Sequence, residues 1–464
     1  MNIMSIDDRA KPWAHHPLAG ELGAETMLSI DEVNYLHWLG KTQYTGAGRV
    51  VELGSFLGGS TLALCKGLTQ NPAWQQPLLA YDRFIMFDDQ ENRYAHIAAP
   101  GESFLPVFQR NLRTYKDRIT TRPMGIPDPI PGVDHTEALY PERDPIEILF
   151  VDAAKSWPVH LTILKVFGPH LIPGKSVVIQ QDFKWATVYY LPLHMYQLRS
   201  CFEPAHDIPQ ASTTAFRYTG GIEDHLDALW TPEDFTADSA RQTWDEIDEW
   251  WSEYQLPTLH RMLRLLRAQH MVTLGAFDEA AAIIQSSIRP AIQDTDKLFL
   301  YGVSYALHRL IGACSASPQA VDVLTECRAV IHQALPTIEH QVASRKLDEA
   351  IDSIASQFGD TGSARPTAIL FGAGRFTHRL LSRGTADLPF KPLAIVDDHA
   401  PLDTIAGVPV VRPTDLAPHA TADFVLISSD THAEALEARA RATLGDDIAV
   451  VRIDRPAPTP QATP

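Results

Sequence analysis

Short apolar runs alternate along the chain with stretches in which apolar residues recur every three or four positions. This is the pattern of strands and helices in an α/β protein. Residues 50–53, 77–82, 146–152 and 176–180 read as buried strands, since a parallel strand covered on both faces is apolar nearly throughout. Ser29-Ile30-Asp31-Glu32 has the form of a capping box and opens a helix with Val33, Leu36 and Leu39 on one face, ending near Gly40. Phe104, Val107, Phe108, Leu112 and Tyr115 mark a second helix, and Leu161, Leu164 and Phe167 a third. Residues 119–121 read as a further strand. The proline-dense stretch 123–131 reads as a loop, of a kind that can cover a substrate cleft but is more commonly a surface loop without that role. Residues 185–202 predict an aromatic-rich helix and 212–218 a closing antiparallel strand. His194 and His206 stand outside any pairing motif and read as structural. Residues before about Glu25 read as an arm.

The first strand leads into Glu52-Leu53-Gly54-Ser55-Phe56-Leu57-Gly58-Gly59-Ser60. Its glycines permit positive φ and a backbone without Cβ, and Ser60 is placed to cap the next helix. Such a turn lies at the carboxyl edge of a parallel sheet, where open α/β folds bind ligands. An acidic residue here suits a cationic amino-acid end better than a pyrophosphate. The other strands also end in polar groups: Asp82, Asp152, and Gln181 with Asp182. A parallel sheet gathers all of these on one edge, with Asp82 where a ribose-binding carboxylate belongs.

Beyond residue 230 the pattern turns helical. Thr231-Pro232 reads as a helix start, followed by Trp244, Ile247, Trp251 and Tyr254 at helical spacing. Leu259, Met262, Leu263 and Leu266 form the next helix, and Leu274-Gly275-Ala276 resembles the turn of a tetratricopeptide-type pair. Residues 359–366 read as a linker. A second strand, glycine turn and helix then follow at Ala368–Phe376, with another strand ending at Asp397. Gly372, Gly374 and Asp397 form a candidate second nucleotide site that lacks the third glycine of the dinucleotide fingerprint.

The formal charge of −18 argues against nucleic acid or an anionic membrane as partner. No apolar run is long enough to cross a bilayer, and no signal-like core opens the chain. The four cysteines lack metal-ligand spacing and read as reduced core thiols. A cytoplasmic protein is expected, with the helical block as candidate homodimer surface.

The Glu52–Ser60 turn resembles motif I of class I S-adenosylmethionine-dependent methyltransferases. Phe150-Val151-Asp152-Ala153-Ala154-Lys155 is similar to the D-x-x-K element of catechol and caffeoyl-CoA O-methyltransferases. Leu171–Gly174 resembles their L-x-P-G turn, and sugar O-methyltransferases share a related arrangement. The resemblance implies that S-adenosylmethionine is held by Glu52, Gly54, Ser55, Gly58, Ser60 and Asp82. It further implies Mg²⁺ on Asp152 with the pair after strand five, and Lys155 as base on an acceptor hydroxyl. Here that pair is Gln181-Asp182, and a neutral amide weakens a Mg²⁺ site. A metal-free alternative has Asp152 and Asp182 orient the hydroxyl while burial lowers the Lys155 pKa toward the working range, and an equal alternative makes Lys155 a solvent-facing loop lysine paired with Asp152.

The expected architecture is α/β. A Rossmann-like methyltransferase domain spans 25–225, an α-helical segment 231–358 and a second small Rossmann-like domain 365–455, with a disordered tail at 456–464. The last domain resembles small units attached to sugar-modifying acyltransferases and nucleotide-sugar enzymes. That likeness suggests a sugar or glycan precursor as the small-molecule acceptor. A catalytically degenerate scaffold in glycan assembly is the alternative. An oxidoreductase using Gly372 and Gly374 is disfavoured, because no catalytic constellation accompanies them.

Overall fold

The structure is a computed structural model. It describes residues 11–452 apart from 16–17, 19–21, 88–93, 95, 131–132, 210, 255, 359–364, 398–402, 417–420, 429–432 and 446–447. The expected tail at 456–464 lies outside the described residues. Contacts divide the chain into two compact units, 1–334 and 335–464. The fold is mixed α/β, with two parallel-rich sheets and a helical middle segment, consistent with a Rossmann-like methyltransferase fold. Among the described residues no helix is long and apolar enough to cross a membrane.

In the first unit, β1 (Arg49–Leu53), β2 (Leu78–Asp82), β3 (Ile119–Pro123), β4 (Ile146–Val151) and β5 (Val177–Gln180) are parallel. They are joined by antiparallel β6 (Phe202–Asp207) and β7 (Thr214–Tyr218). The order β3-β2-β1-β4-β5-β7-β6 reverses direction between β1 and β4, which opens a crevice at their carboxyl ends. β4 is buried along its whole length, as a central strand covered on both faces must be.

Side chains alternate across the sheet. Val50, Leu78, Ala80, Ile148 and Phe150 pack with Val33 and Leu36 of α1 (Ile30–Trp38) and Leu62 of α2 (Gly59–Leu68). On the other face the Tyr81 ring meets Phe167, 5.9 Å away, in the helix Trp157–Phe167. The capping box forms as expected, with the Ser29 hydroxyl bound to Glu32 N–H and the Glu32 carboxylate returning to Ser29 N–H.

Several expectations need correction. The arm before Glu25 is partly core: Trp13 is buried, with its ring 5.1 Å from Tyr35 and 5.6 Å from His206. Ser60 does not cap α2. Gly58 does, at φ 90°, and Ser60 lies one turn position inside the helix. The helix expected from Pro232 is a 3₁₀ turn, and the α-helix Ala237–Ser252 starts after Thr236. His194 is structural but not lone, since its Nδ1 lies 2.8 Å from Nδ1 of His160. Burial pushes His194 down to about 4 and His160 well below the usual histidine range.

The helices Ala237–Ser252, Pro257–Thr273, Phe277–Gln293 and Lys297–Ala313 belong to the first unit. They pack on its sheet domain: Trp251 lies 5.8 Å from Phe183, and His270 stacks on Tyr189 at 4.8 Å. The second unit has five parallel strands and one antiparallel edge strand, in sheet order 404–405, 408–411, 391–396, 367–371, 424–427, 449–452. Leu347, Ala350 and Ile354 cover one face of that sheet.

A buried ion pair ties β6 and β7 to the segment after β5. Lys184 Nζ donates to Asp207 Oδ1 at 2.6 Å and to Ile208 O at 3.0 Å, and Thr214 adds a bond to the same carboxylate at 2.9 Å. The Lys184 side chain is 0% exposed. Replacing it with Met strands a buried carboxylate. Lys184→Met is therefore expected to lower stability by about 3–5 kcal/mol, while Lys184→Met/Asp207→Leu recovers most of that loss. Chemical denaturation of the three proteins checks this, and equal loss in the single and double variants contradicts it.

Candidate active site

The carboxyl ends of β1, β2 and β4 enclose a cavity of about 360 Å³, within the range of small-molecule sites. Gly54, Asp82, Asp152, Ala153 and Lys155 line it, together with an apolar wall that includes Phe56, Phe104 and Ile126. The proline-dense loop contributes Met124, Gly125 and Ile126, so it does border the cavity.

Gly54 shows why the first turn needs glycine. Its φ is +96°, and a Cβ there would lie 2.9 Å from the Asp152 carbonyl carbon. Gly54 N–H donates to Tyr81 O at 2.8 Å, and Asp152 N–H donates to Leu53 O at 2.7 Å. The turn is thus clamped between β2 and β4. Asp82 fastens it from the side: Oδ2 accepts from Phe56 N–H at 2.8 Å and Oδ1 from Phe84 N–H at 2.7 Å. Phe56 and Phe84 both have positive φ, 43° and 52°, so one carboxylate stabilises two unfavourable backbone conformations. Burial raises the Asp82 pKa against the backbone hydrogen bonds that lower it.

Glu52 and Ser55 stand elsewhere. Glu52 is 0% exposed and does not line the cavity. Its Oε2 accepts from Ser55 at 3.1 Å and Thr61 at 2.5 Å, Ser60 is a further hydroxyl partner, and Oε1 is buried without a partner. Gly58 packs against Leu112 and Phe108 rather than the cavity. Of the six residues expected around the donor, Gly54 and Asp82 line the cavity, while Glu52, Ser55, Ser60 and Gly58 shape the turn behind it.

The cavity also has an ionic corner. Lys155 Nζ donates to Asp152 Oδ1 at 2.5 Å and to Asp182 Oδ2. With the amide oriented to satisfy its neighbours, the Gln181 nitrogen lies 2.9 Å from Asp152 Oδ1 and 2.7 Å from Asp182 Oδ1. Burial raises the Asp152 pKa, and Asp182 reinforces it while Lys155 opposes it. For Lys155, desolvation works against the charge, but the two carboxylates outweigh it and raise its pKa. This reverses the expected lowering: Lys155 is an ion-paired ammonium, not a free base.

Mg²⁺ does not fit this arrangement. The Lys155 ammonium already bridges the two carboxylates that would ligate it. Among the described residues no group of three or more His, Cys, Asp or Glu is arranged to hold a metal. S-adenosylmethionine fits better. The bare Cα of Gly54, the remaining lone pairs of Asp82 and the apolar wall suit backbone contact, a ribose diol and a flat base respectively.

Sequence reasoning missed the cavity's aromatic wall and Arg83. Arg83 follows Asp82 directly, lies 5.4 Å from the Phe87 ring centroid and lines the cavity. A strand end followed at once by a cation was the available signal. In the second unit, Asp397 Oδ2 accepts from Ala373 N–H at 2.8 Å beside Gly372, whose φ is +99°. A Cβ on Gly372 would meet Leu436 at 3.2 Å, so packing accounts for that glycine. Gly374 is the N-cap of the helix Arg375–Leu381.

Glu52 gives a pH test. Burial pushes its pKa up to about 7 from 4.5, against the three hydroxyls that lower it. The folded chain keeps this proton where the unfolded chain has lost it. Stability from this group is therefore full below pH 4.5 and declines as pH rises through about 7, by about 3 kcal/mol in all. Glu52→Gln removes the proton. Its melting temperature is expected to gain on the wild type across that window by calorimetry, and parallel curves would contradict the assignment.

No family model and no curated protein matches the chain. Among solved structures it is similar to a cyclopropane-fatty-acyl-phospholipid synthase-like protein from Lactobacillus casei, at 14% identity and a TM-score of 0.23, covering 57% of this chain and 94% of that one.

Proposed function

We propose that the chain is an S-adenosylmethionine-dependent methyltransferase acting on a hydroxyl of a small acceptor, such as a sugar or glycan precursor, in the cytoplasm. The observation that supports this most is the cavity between β1, β2 and β4, which gathers Gly54, Asp82, Asp152 and Lys155. Residues 25–225 carry the reaction in this reading, with 231–358 as helical segment and 365–455 as the smaller α/β domain.

The donor, when bound, supplies an electrophilic sulfonium methyl that the acceptor oxygen takes as the carbon–sulfur bond breaks, leaving a neutral thioether. The chain's residues do the rest. Asp82 holds the ribose hydroxyls, and Gly54 lets the donor approach the backbone. Asp152, whose carboxyl burial makes more basic than usual, accepts the acceptor's proton. Holding the two reactants in line supplies a large share of the rate. The degenerate-scaffold reading is favoured by one observation: the Lys155 ion pairs engage Asp152 Oδ1 and Asp182 Oδ2.

Calorimetric titration with S-adenosylmethionine separates the two. Wild type is expected to bind, and Asp82→Ala to lose roughly tenfold or more in affinity through its hydrogen bonds to the ribose. Absence of binding by folded wild type would sink the enzyme reading and leave the scaffold.

A further inference from the structure

The corner made by Asp152, Gln181 and Asp182 is built around an internal cation. Lys155 folds back within three residues of Asp152, its N–H bonded to Ala153 O at 2.8 Å. Its ammonium then reaches both carboxylates. Asp152 Oδ1 and Asp182 Oδ2 therefore accept hydrogen bonds from this chain's own ammonium. A divalent ion would have to displace that ammonium from both carboxylates.

We propose that the Lys155 ammonium is the resident cation of this site: it takes the place of a divalent metal and presents its third N–H to the acceptor oxygen. Two of its three donors are spent on Asp152 and Asp182. The side chain is 59% exposed and lines the cavity, so the third donor is available there. As the acceptor oxygen loses its proton to Asp152, a cation already fixed in place stabilises the developing charge without reorganisation. The acceptor's part in this rests on the methyl-transfer reading, whereas the exclusion of metal does not.

Mn²⁺ binding followed by electron paramagnetic resonance tests it without donor or acceptor. Wild type is expected to leave Mn²⁺ free. Lys155→Met, which keeps both carboxylates and removes the ammonium, is expected to bind Mn²⁺ at least roughly tenfold more tightly, since charge count sets such affinities. Lys155→Met/Asp152→Asn should lose that gain. Uptake by wild type that Asp152→Asn abolishes would overturn the proposal, as would a folded Lys155→Met that gains no Mn²⁺ binding. If Lys155→Met does not fold, wild type against Asp152→Asn still decides: no uptake by either supports the proposal, and Asp152-dependent uptake refutes it. Failure of the donor titration would remove methyl transfer and leave the Mn²⁺ result standing.

Discussion

The close approach of β1 and β4 at Gly54 governs the carboxyl edge of the first sheet. A side chain on Gly54 would strike the Asp152 backbone at 2.9 Å. Only a bare Cα lets Leu53 O receive the Asp152 N–H at 2.7 Å. That bond ends β4 where it does and aims the Asp152-to-Lys155 turn across the edge toward Asp182. Displacing this contact would move Asp152 and Lys155 together, because both lie within a few residues of the end of β4.

Both sheets use one device to close the turn after their first strand. In the first unit the acid ending β2 accepts the Phe56 N–H, and in the second the acid following Val396 accepts the Ala373 N–H, each at 2.8 Å. A carboxylate so placed satisfies a backbone donor that points away from any ladder. The position therefore serves turn closure first, and a strand-end acid alone is no proof of a nucleotide. In the first unit a cavity surrounds Asp82.

The sheet and its edge were legible because burial on both faces writes long apolar runs, as at 146–151, and because a parallel sheet must collect its strand ends. β6 was not legible. Phe202–Asp207 contains Pro204 and two charged residues, and its register slips beside Pro204, which an edge strand tolerates and a central one does not. The Ser60 cap was misread because a left-handed Gly58 can itself start the helix, freeing Ser60 as a hydroxyl partner of Glu52. The direction of the Lys155 shift was not legible either. Sequence shows that Asp152 is three residues away, but Asp182 arrives only through the fold, and the two carboxylates act together against desolvation.

The polar groups beneath the cavity are costly to bury, and their arrangement gives a reason to keep them. Glu32, desolvated and raised in pKa, accepts from Thr213, whose hydroxyl also reaches Gln181 O at 3.1 Å. Lys184 pairs with Asp207 two residues beyond Asp182, and its N–H is tied to Ser212 O at 2.9 Å. The segment 181–184 is thus pinned from α1 on one side and from the β6–β7 turn on the other. Apolar side chains of equal volume would hold the same elements together at less cost in desolvation, but they would not fix the rotation of the backbone that carries Gln181 and Asp182. With two carboxylates and one ammonium meeting at hydrogen-bond distance, a small displacement would break the network. Placing that corner is the role in which buried, directional bonds outperform packing.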